Sequence, residues 1–210
     1  MSAARGKGRP PRDTRAAIFR AASHEFAERG YEAARVDRIA AAAGVNKAML
    51  YYHFGSKLAL YTEILRDMFR AVGTKARAIA DSPDTADRKF DTWIVTMVSE
   101  AAARPWIPPI MLRELASGAP HIDAETIGMM NAIYAAVQDM ILQGQRENRF
   151  RNVDPLLTHL TIMPAILIFF ARQRVVERRR MTKGIAEPRQ VDDLVNHMRE
   201  MTQRMLRKET

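Results

Sequence analysis

The sequence contains no cysteine, which excludes disulfide bonds, cysteine-ligated zinc and thiol nucleophiles. It shows no charged-then-apolar leader of the kind that directs export. Its longest uninterrupted apolar run, residues 162–171, contains Pro164 and is about half of the roughly 20 residues that cross a bilayer. These absences predict a cytoplasmic protein without a membrane partner.

Stretches in which apolar and polar residues alternate are also missing, so little in the sequence favours a sheet. Apolar residues instead recur at i, i+3, i+4 and i+7, and glycines and prolines fall at intervals that end helices. A chain of 210 residues forms one domain or two small ones. The pattern predicts an all-α fold of about nine helices.

The net charge of +9 is concentrated in the first quarter of the chain. Residues 1–57 hold 11 Lys and Arg against 5 Asp and Glu, or +6, whereas the remaining residues hold 22 against 19, or +3. A local positive field suits DNA, because counterion release supplies the sequence-independent part of the affinity. A solvated basic surface with no partner is the alternative that charge alone leaves open.

Residues 36–54 have the spacing of a helix-turn-helix. Gly44 supplies the positive φ of the turn, and Ala40 is small where the two helices cross. The inward-facing residues are Ile39, Val45, Leu50 and Phe54. A helical hairpin that serves only the fold is the alternative from spacing alone.

The outer face of the second helix favours a binding role. At about 100° per residue, turning Leu50 and Phe54 inward places Ala48 and Tyr52 outside, flanked by Met49 and Tyr51. Asn46 is suited to cap this helix beside Lys47, which creates a site for phosphate. Ser56 is suited to cap the following helix beside Lys57, which creates a second one.

These residues resemble the TetR family of bacterial transcriptional regulators. The resemblance rests on Ile18, Ala22, Phe26, Gly30 and Tyr31, and on the stretch VDRIAAAAGVNKAMLYYHFGSKLAL from Val36 to Leu60. It implies a homodimer with one DNA-binding head per subunit, a C-terminal domain that receives a small-molecule effector, and repression of a palindromic operator that the effector relieves.

The resemblance also implies roles for single residues. Lys47, Ala48 and Met49 fall where the family reads bases, and Tyr51, Tyr52, His53 and Lys57 fall where it holds the DNA backbone. Two positions depart from the family: Arg35 stands where threonine is common, and Asn46 stands where serine is common. We expect Asn46 to cap and Arg35 to lose a capping hydroxyl while adding a cation. The expected DNA contacts are Arg35, Arg38, Asn46, Lys47, Ala48, Met49, Tyr51, Tyr52, His53 and Lys57.

Three segments are predicted: a basic disordered arm over residues 1–12, a helix-turn-helix domain of three helices over residues 13–57, and an effector-binding and dimerisation domain over residues 58–210. Asp13 or Thr14 is suited to cap the first helix. The arm resembles the Gly-Arg-Pro core of an AT-hook, which inserts basic side chains into the minor groove. Its candidates are Arg5, Lys7 and Arg9. The alternative is a tail that adds only non-specific affinity.

The predicted effector pocket is drawn from residues spread over four or five helices. Methionine fills adaptable apolar space and few buried charges are available, so we expect an apolar effector. Ordinary core packing is the alternative for each residue, and His159 is either a ligand contact or a satisfied core histidine. The candidates are Trp93, Met97, Trp106, Met111, Met130, Tyr134, His159 and Met163.

The last two helices are predicted to form the dimer contact. Residues 156–171 are apolar nearly all round, and the final helix, residues 188–207, carries an apolar seam suited to a helix partner. Two copies of each helix then form a four-helix bundle. The predicted contact residues are Ile168, Val191, Val195, Met198 and Met205.

Two other classes of function remain as alternatives. A metalloenzyme is disfavoured, because the His121-x-Asp123-x-Glu125 cluster has no second histidine at helical spacing. We therefore expect no catalysis, no metal and no cofactor. An architectural protein that binds DNA without regard to sequence, through the arm and the basic head, is the second alternative.

Overall fold

The computed structural model describes residues 11–180 and 190–208, and within them the chain is helical. The described helices are α1 (Pro11–Ala33), α2 (Val36–Ala43), α3 (Lys47–Phe54), α4 (Lys57–Ala80), α5 (Ala86–Ala103), α6 (Ile107–Ala116), α7 (Ala124–Arg146), α8 (Pro155–Arg179) and α9 (Val191–Leu206). In these ranges β pairing is limited to an isolated antiparallel bridge between Phe150 and Arg207.

The chain divides into two compact units between Leu65 and Arg66, within α4. The sequence prediction placed the end of the first domain at Lys57, where α4 begins. Its first two and a half turns belong to the first unit, and Leu60, Tyr61 and Ile64 are buried there.

The first unit is built on α1, and this helix begins earlier than predicted. It starts at Pro11, a residue suited to the first helical position because its fixed φ matches the helix and it has no N–H to satisfy. Asp13 and Thr14 therefore lie inside the helix and are not its N-cap, which corrects the sequence prediction. Gly30 interrupts the helix with a φ of 74°.

Three rings join α1 to the first turns of α4. The Phe26 ring meets the Tyr61 ring edge-on at 4.8 Å between centroids, and the Tyr31 and Tyr61 rings lie 5.1 Å apart. Phe26 and Tyr61 are buried. Tyr31 therefore anchors the end of α1 to the first turns of α4.

The second unit has its core where α5 packs against α7, α8 and α9. Its larger buried members include Phe90, Trp93, Met140, Phe150 and Ile166. A buried lysine, Lys89, donates from its ammonium to the Ala80 carbonyl at 2.7 Å and to Gln143 Oε1 at 2.8 Å. These bonds tie the end of α4 to α5 and α7.

Helix α8 is apolar on both sides, but residues 11–180 and 190–208 cover only one of them. Its inner side holds Thr158, Ile162, Ile166 and Phe170, at four-residue spacing, and all are buried. Its outer side is exposed in the single chain, at Leu156, Leu157, Leu160, Ile168 and Val175. The segment Pro155–Glu177 is long and apolar enough to cross a membrane by length and composition, so the uninterrupted run understated how apolar this helix is.

Helix α9 differs from the prediction in where its apolar seam faces. Met198 is only 7% exposed and belongs to the core of its own chain, so it is not available to a second subunit. Val191, Val195 and Met205 are partly buried against the same core. The reason is that α9 packs on α5, which uses the seam within the chain. The helix begins at Val191, and the predicted start, Pro188, lies outside the described residues.

Candidate functional site

The turn between α2 and α3 is formed as the sequence predicts. Gly44 has φ 68° and ψ 32°, and its N–H donates to the Ala41 carbonyl at 3.1 Å. The Val45 N–H donates to the Ala40 carbonyl at 3.0 Å. A side chain at this left-handed position is strained, because its Cβ approaches the following carbonyl oxygen. The glycine thus fixes the angle at which α3 leaves α2.

The first turn of α3 is capped by Asn46. Its Oδ1 accepts from the Met49 N–H at 3.0 Å, which confirms the predicted N-cap. Arg35 precedes α2 and makes no side-chain cap, as expected from the missing hydroxyl. Its backbone N–H donates to Glu25 Oε1 instead, at 3.4 Å.

One face of α3 is left to solvent. Leu50 and Phe54 are buried, whereas Tyr52 is 80% exposed and Tyr51 is 48% exposed. Lys47 and Ala48 are exposed beside them, and Met49 is partly exposed. Two large aromatic side chains that leave this much of their surface in water indicate a surface shaped for a partner.

Asp37 is a member of this surface that the sequence prediction missed. Its carboxylate forms an ion pair with Lys47 at the start of α3 and lies 3.8 Å from the Arg35 guanidinium. Two of the predicted DNA-contacting cations therefore share one carboxylate. Asp37 lies in the first turn of α2, ten positions before Lys47, and only the folded hairpin brings them together. Arg38 is exposed on the same helix.

Two residues predicted to hold the DNA backbone are differently placed. Nε2 of His53 is buried without a hydrogen-bond partner among the described residues, and the ring meets Tyr52 edge-on at 5.2 Å. That nitrogen is not accessible to a phosphate in this conformation. The Lys57 ammonium lies 4.5 Å from the centroid of the Tyr31 ring and donates to the Glu32 carbonyl at 3.3 Å.

The end of α3 is held from both sides. The Arg15 guanidinium lies over the Phe54 ring at 4.8 Å and forms an ion pair with Glu63. Ser56 Oγ accepts from the Ala59 N–H at 3.0 Å and so caps α4, as predicted. These contacts fix α3 between α1 and α4 while its outer face stays free. The three predicted arm residues, Arg5, Lys7 and Arg9, lie outside the described residues.

Three of the predicted pocket residues form one aromatic group in the second unit. The rings of Trp93 on α5 and His159 on α8 have centroids 6.1 Å apart, and Tyr134 on α7 meets His159 edge-on at 6.0 Å. Trp93 is completely buried, while Tyr134 and His159 are partly exposed. Burial lowers the pKa of His159, so its imidazole is neutral at pH 7.

The other predicted pocket residues are placed around this group with different exposure. Met97 belongs to the buried core, and Met163 packs against it. Met130 is partly exposed on α7. Trp106 precedes α6 and Met111 lies within it, outside that core cluster.

An open cleft of about 720 Å³ occurs elsewhere in the second unit, between α5, the segment after α7 and α9. None of the eight predicted pocket residues lines it. Two of its four arginines face acidic partners: Arg149 lies 3.0 Å from Asp87, and Arg199 lies 2.5 Å from Asp91. Because three aspartates line the cleft together with these cations, we assign no ligand to it.

The residues of the discarded metal cluster have structural partners. Asp123 caps α7 by accepting from the Thr126 hydroxyl and N–H, and with an ion pair to Arg66 these bonds lower its pKa to about 2. Glu125 pairs with the same arginine at 2.8 Å. His121 Nδ1 lies 2.9 Å from Glu114 Oε1.

Comparison with known proteins finds a family match over the helix-turn-helix. The family model for bacterial regulatory proteins of the tetR family matches residues 18–64, which contain α2, α3 and their turn. The HTH-type transcriptional activator FasR of Mycolicibacterium smegmatis is 41% identical over 85 residues, which is 40% of this chain and 39% of that protein. The HTH-type transcriptional repressor SCO4008 of Streptomyces coelicolor is 36% identical over 97 residues, or 46% and 47% of the two chains.

The match therefore spans less than half the length of these two relatives. A structural match covers nearly the whole chain. The solved structure of the ketosteroid transcriptional regulator KstR2 of Mycobacterium tuberculosis has a TM-score of 0.75 at 21% identity, and the match covers 93% of this chain and 95% of that one. This likeness confirms the all-α fold with an N-terminal helix-turn-helix domain.

Proposed function

We infer that the chain belongs to the TetR family of bacterial regulatory proteins, and we propose that it is a transcriptional repressor that binds a palindromic DNA operator as a homodimer. A small, largely apolar effector releases it. It acts in the cytoplasm, and this role needs no catalysis and no cofactor.

The exposed face of α3 is the observation that carries the proposal. Its N-terminal residues, Lys47, Ala48 and Met49, are the ones that enter the major groove and meet base edges, as the first turn of a recognition helix does. Tyr51 and Tyr52 bond phosphates and so position the helix. The remaining proposed DNA contacts are Arg35, Arg38, Asn46, His53 and Lys57. His53 makes its contact only after its ring turns, since Nε2 is buried.

The exposed side of α8 supports the homodimer. Leucines and an isoleucine in contact with water are unfavourable by about 25 cal/mol per Å² of apolar surface, so a second copy that covers them stabilises the pair. Two heads are also what a palindromic site requires. The proposed contact consists of Leu157, Leu160, Ile168 and Val175, with the exposed Met201 from α9. Of the sequence-predicted contact residues, this set retains Ile168.

Repression follows from a dimer bound across a promoter, which blocks polymerase without any further contact. Helix α4 is shared by both units, so an effector held in the second unit acts on the first through it. The effector shifts the equilibrium only by its difference in affinity for the two states. Paired half-sites about 34–36 Å apart, or a multiple of one turn, tolerate little change in the separation of two α3 helices.

The DNA-binding role is tested by selecting an operator from random duplexes with the full-length protein. Lys47→Ala should weaken operator binding by about 1–3 kcal/mol and reduce the preference over random DNA, because a base contact is lost. Tyr52→Phe should weaken binding to the operator and binding to random DNA equally, by about 0.5–1.5 kcal/mol, because a hydrogen bond to phosphate carries no sequence information.

The matched control is Arg204→Ala, which removes an exposed cation of the same charge from α9. It should leave both affinities unchanged. Random DNA that competes as well as the operator for the unmodified protein would favour the architectural alternative instead. Equal losses for Lys47→Ala and Arg204→Ala would show that α3 does not carry the recognition.

The dimer is tested by light scattering after gel filtration. Leu160→Glu and Ile168→Lys should give monomers that keep their helix content but lose most operator affinity. Glu200→Lys, a charge change at an exposed position of α9, serves as the control. A protein that sediments with lipid vesicles and stays monomeric in solution would mean that a membrane covers α8 instead.

A further inference from the structure

Two buried polar atoms in the aromatic group of the second unit have no hydrogen-bond partner among the described residues. They are Nε1 of Trp93 and Nδ1 of His159. Trp93 is completely buried, and its ring centroid lies 6.1 Å from that of His159. A buried polar group left unpaired is unfavourable by about 1–3 kcal/mol, and native proteins leave few of them. Two such atoms on neighbouring rings therefore indicate a group that binds both.

We propose that Trp93 and His159 together bind a single uncharged oxygen of the effector, a hydroxyl or a carbonyl group on an otherwise apolar molecule. This inference rests on the proposed function and specifies the chemical class of the effector. The indole N–H of Trp93 only donates, so the ligand atom must accept. Neutral His159 completes the pair: Nδ1 either donates to the same oxygen or accepts from a hydroxyl, according to its tautomer.

The surroundings select against a charged group. Burial disfavours the imidazolium form of His159, and an indole carries no charge, so the pair offers hydrogen bonds without a counter-ion. A carboxylate moved here from water would lose its hydration without an opposite charge to replace it. The carbon skeleton of the ligand meets Met97 and Met163, whose flexible side chains adapt to its shape.

The exposure of the surrounding residues indicates the side from which a ligand enters. Trp93 is completely buried, whereas Tyr134 and His159 are partly exposed, as are Met130 and Met163. Because the two polar atoms are closed to solvent, the ligand's oxygen reaches them only after side chains between α7 and α8 move, and its apolar part then stays toward the surface.

Four probes that share one ring test the chemical class: cyclohexanol, cyclohexanone, cyclohexanecarboxylate and methylcyclohexane. Their affinities for the full-length protein are measured by ligand-observed NMR. The alcohol or the ketone should bind at least about tenfold more tightly than the carboxylate. Trp93→Phe and His159→Phe should each weaken that binding several-fold and change methylcyclohexane binding less than twofold.

The same variants without ligand test whether the two atoms are truly unpaired. His159→Phe should melt at the temperature of the unmodified protein or above it, because no bond is removed and an apolar ring of similar size replaces a polar one. Trp93→Phe should melt lower, because the smaller ring leaves a cavity in the core. The control, His197→Phe on α9, removes an exposed imidazole and should leave all four affinities unchanged. A fall of several degrees for His159→Phe, or a preference for the carboxylate, would overturn the proposal.

Operator binding by the same preparations separates the two proposals. Failure of the effector inference would leave operator affinity intact while the four probes bind without discrimination. Failure of the proposed function would appear as operator affinity no greater than that for random DNA in the unmodified protein, whatever the probes do.

Discussion

Replacing Gly144 by alanine should destabilise the second unit, because Phe150 fills the space that a side chain would need. A Cβ at this position would lie 2.1 Å from Cδ2 of the Phe150 ring and 2.5 Å from Cγ and Cε2. Carbon atoms pack at about 3.5–4.0 Å, so the ring must move by about 1.4 Å or more.

The ring has little freedom to make that movement. Phe150 is 7% exposed, its own N–H donates to the Gly144 carbonyl at 3.0 Å, and its ring meets Phe90 edge-on at 6.1 Å. The next residue, Arg151, donates its N–H to the Leu206 carbonyl at 2.8 Å, which ties the segment to α9. Overpacking a core in this way raises the free energy of the folded state by about 1–3 kcal/mol, and displacing a buried phenylalanine costs about 3–5 kcal/mol.

Alanine also has an opposing effect, since it favours the helix over glycine by about 1 kcal/mol. The net expected loss for Gly144→Ala is therefore about 2 kcal/mol in the free energy of unfolding, or roughly 4–8 °C in the melting temperature of a chain of this size. Urea and thermal denaturation of the full chain, followed by circular dichroism, measure both quantities.

Gly128 provides the matched control in the same helix, because a Cβ there would meet nothing within 4 Å. Gly128→Ala should raise stability by about 0.5–1 kcal/mol through helix propensity alone. If Gly144→Ala is as stable as Gly128→Ala, the contact between Phe150 and Gly144 is not the constraint that the geometry implies.

Three further predictions concern charged groups. Lys89→Met should lower the free energy of unfolding by about 1–3 kcal/mol, measured in urea, because the Ala80 carbonyl and Gln143 lose their buried donor; an unchanged midpoint would contradict this. Asp123 has a pKa lowered from 3.8 to about 2, so it stabilises the fold fully above pH 3.8 and loses this effect as the pH falls toward 2. Asp123→Asn should flatten acid denaturation over that interval, and a curve of unchanged steepness would be inconsistent with it. Asp37→Asn should strengthen binding to random duplex, steepen its salt dependence by about one counterion and reduce operator preference, since Lys47 is freed to contact phosphate non-specifically; anisotropy titrations at several salt concentrations detect the change, and identical slopes would argue against a positioning role.

The recognition hairpin was predictable from the sequence because its determinants are local. Gly44 at the turn, Asn46 as the N-cap and Leu50 with Phe54 on the inner face each depend on residues within a few positions. The structure shows all of them as expected. The pairing of Asp37 with Lys47 was not predicted, because it requires the angle between α2 and α3 and not the spacing within either helix.

The start of α1 shows how a local signal misleads when a stronger one precedes it. Asp13 and Thr14 are good N-cap residues, but Pro11 begins the helix first, with its φ already set to the helical value. The prediction that α9 forms the dimer contact was wrong for a different reason. The seam of α9 has the spacing of an intermolecular contact, and the same spacing serves equally to pack on α5 within the chain.

Exposure resolves that ambiguity, and it also changes which helix carries the proposed dimer contact. An apolar seam in the sequence predicts that one side of a helix is covered, but it does not predict whether the same chain or a second subunit covers it. In the folded chain α9 has its cover, because Met198 is buried against its own core, whereas α8 leaves Leu157, Leu160 and Ile168 uncovered. The buried stripe at Thr158, Ile162, Ile166 and Phe170 faces the same core, so α8 packs inward with one side and leaves the other for a partner. His159 lies one residue beyond Thr158 on this helix and contributes to the aromatic group with Trp93. The helix proposed to pair two subunits is therefore also a wall of the proposed effector site, so an effector that shifts α8 acts on the dimer contact directly as well as through α4.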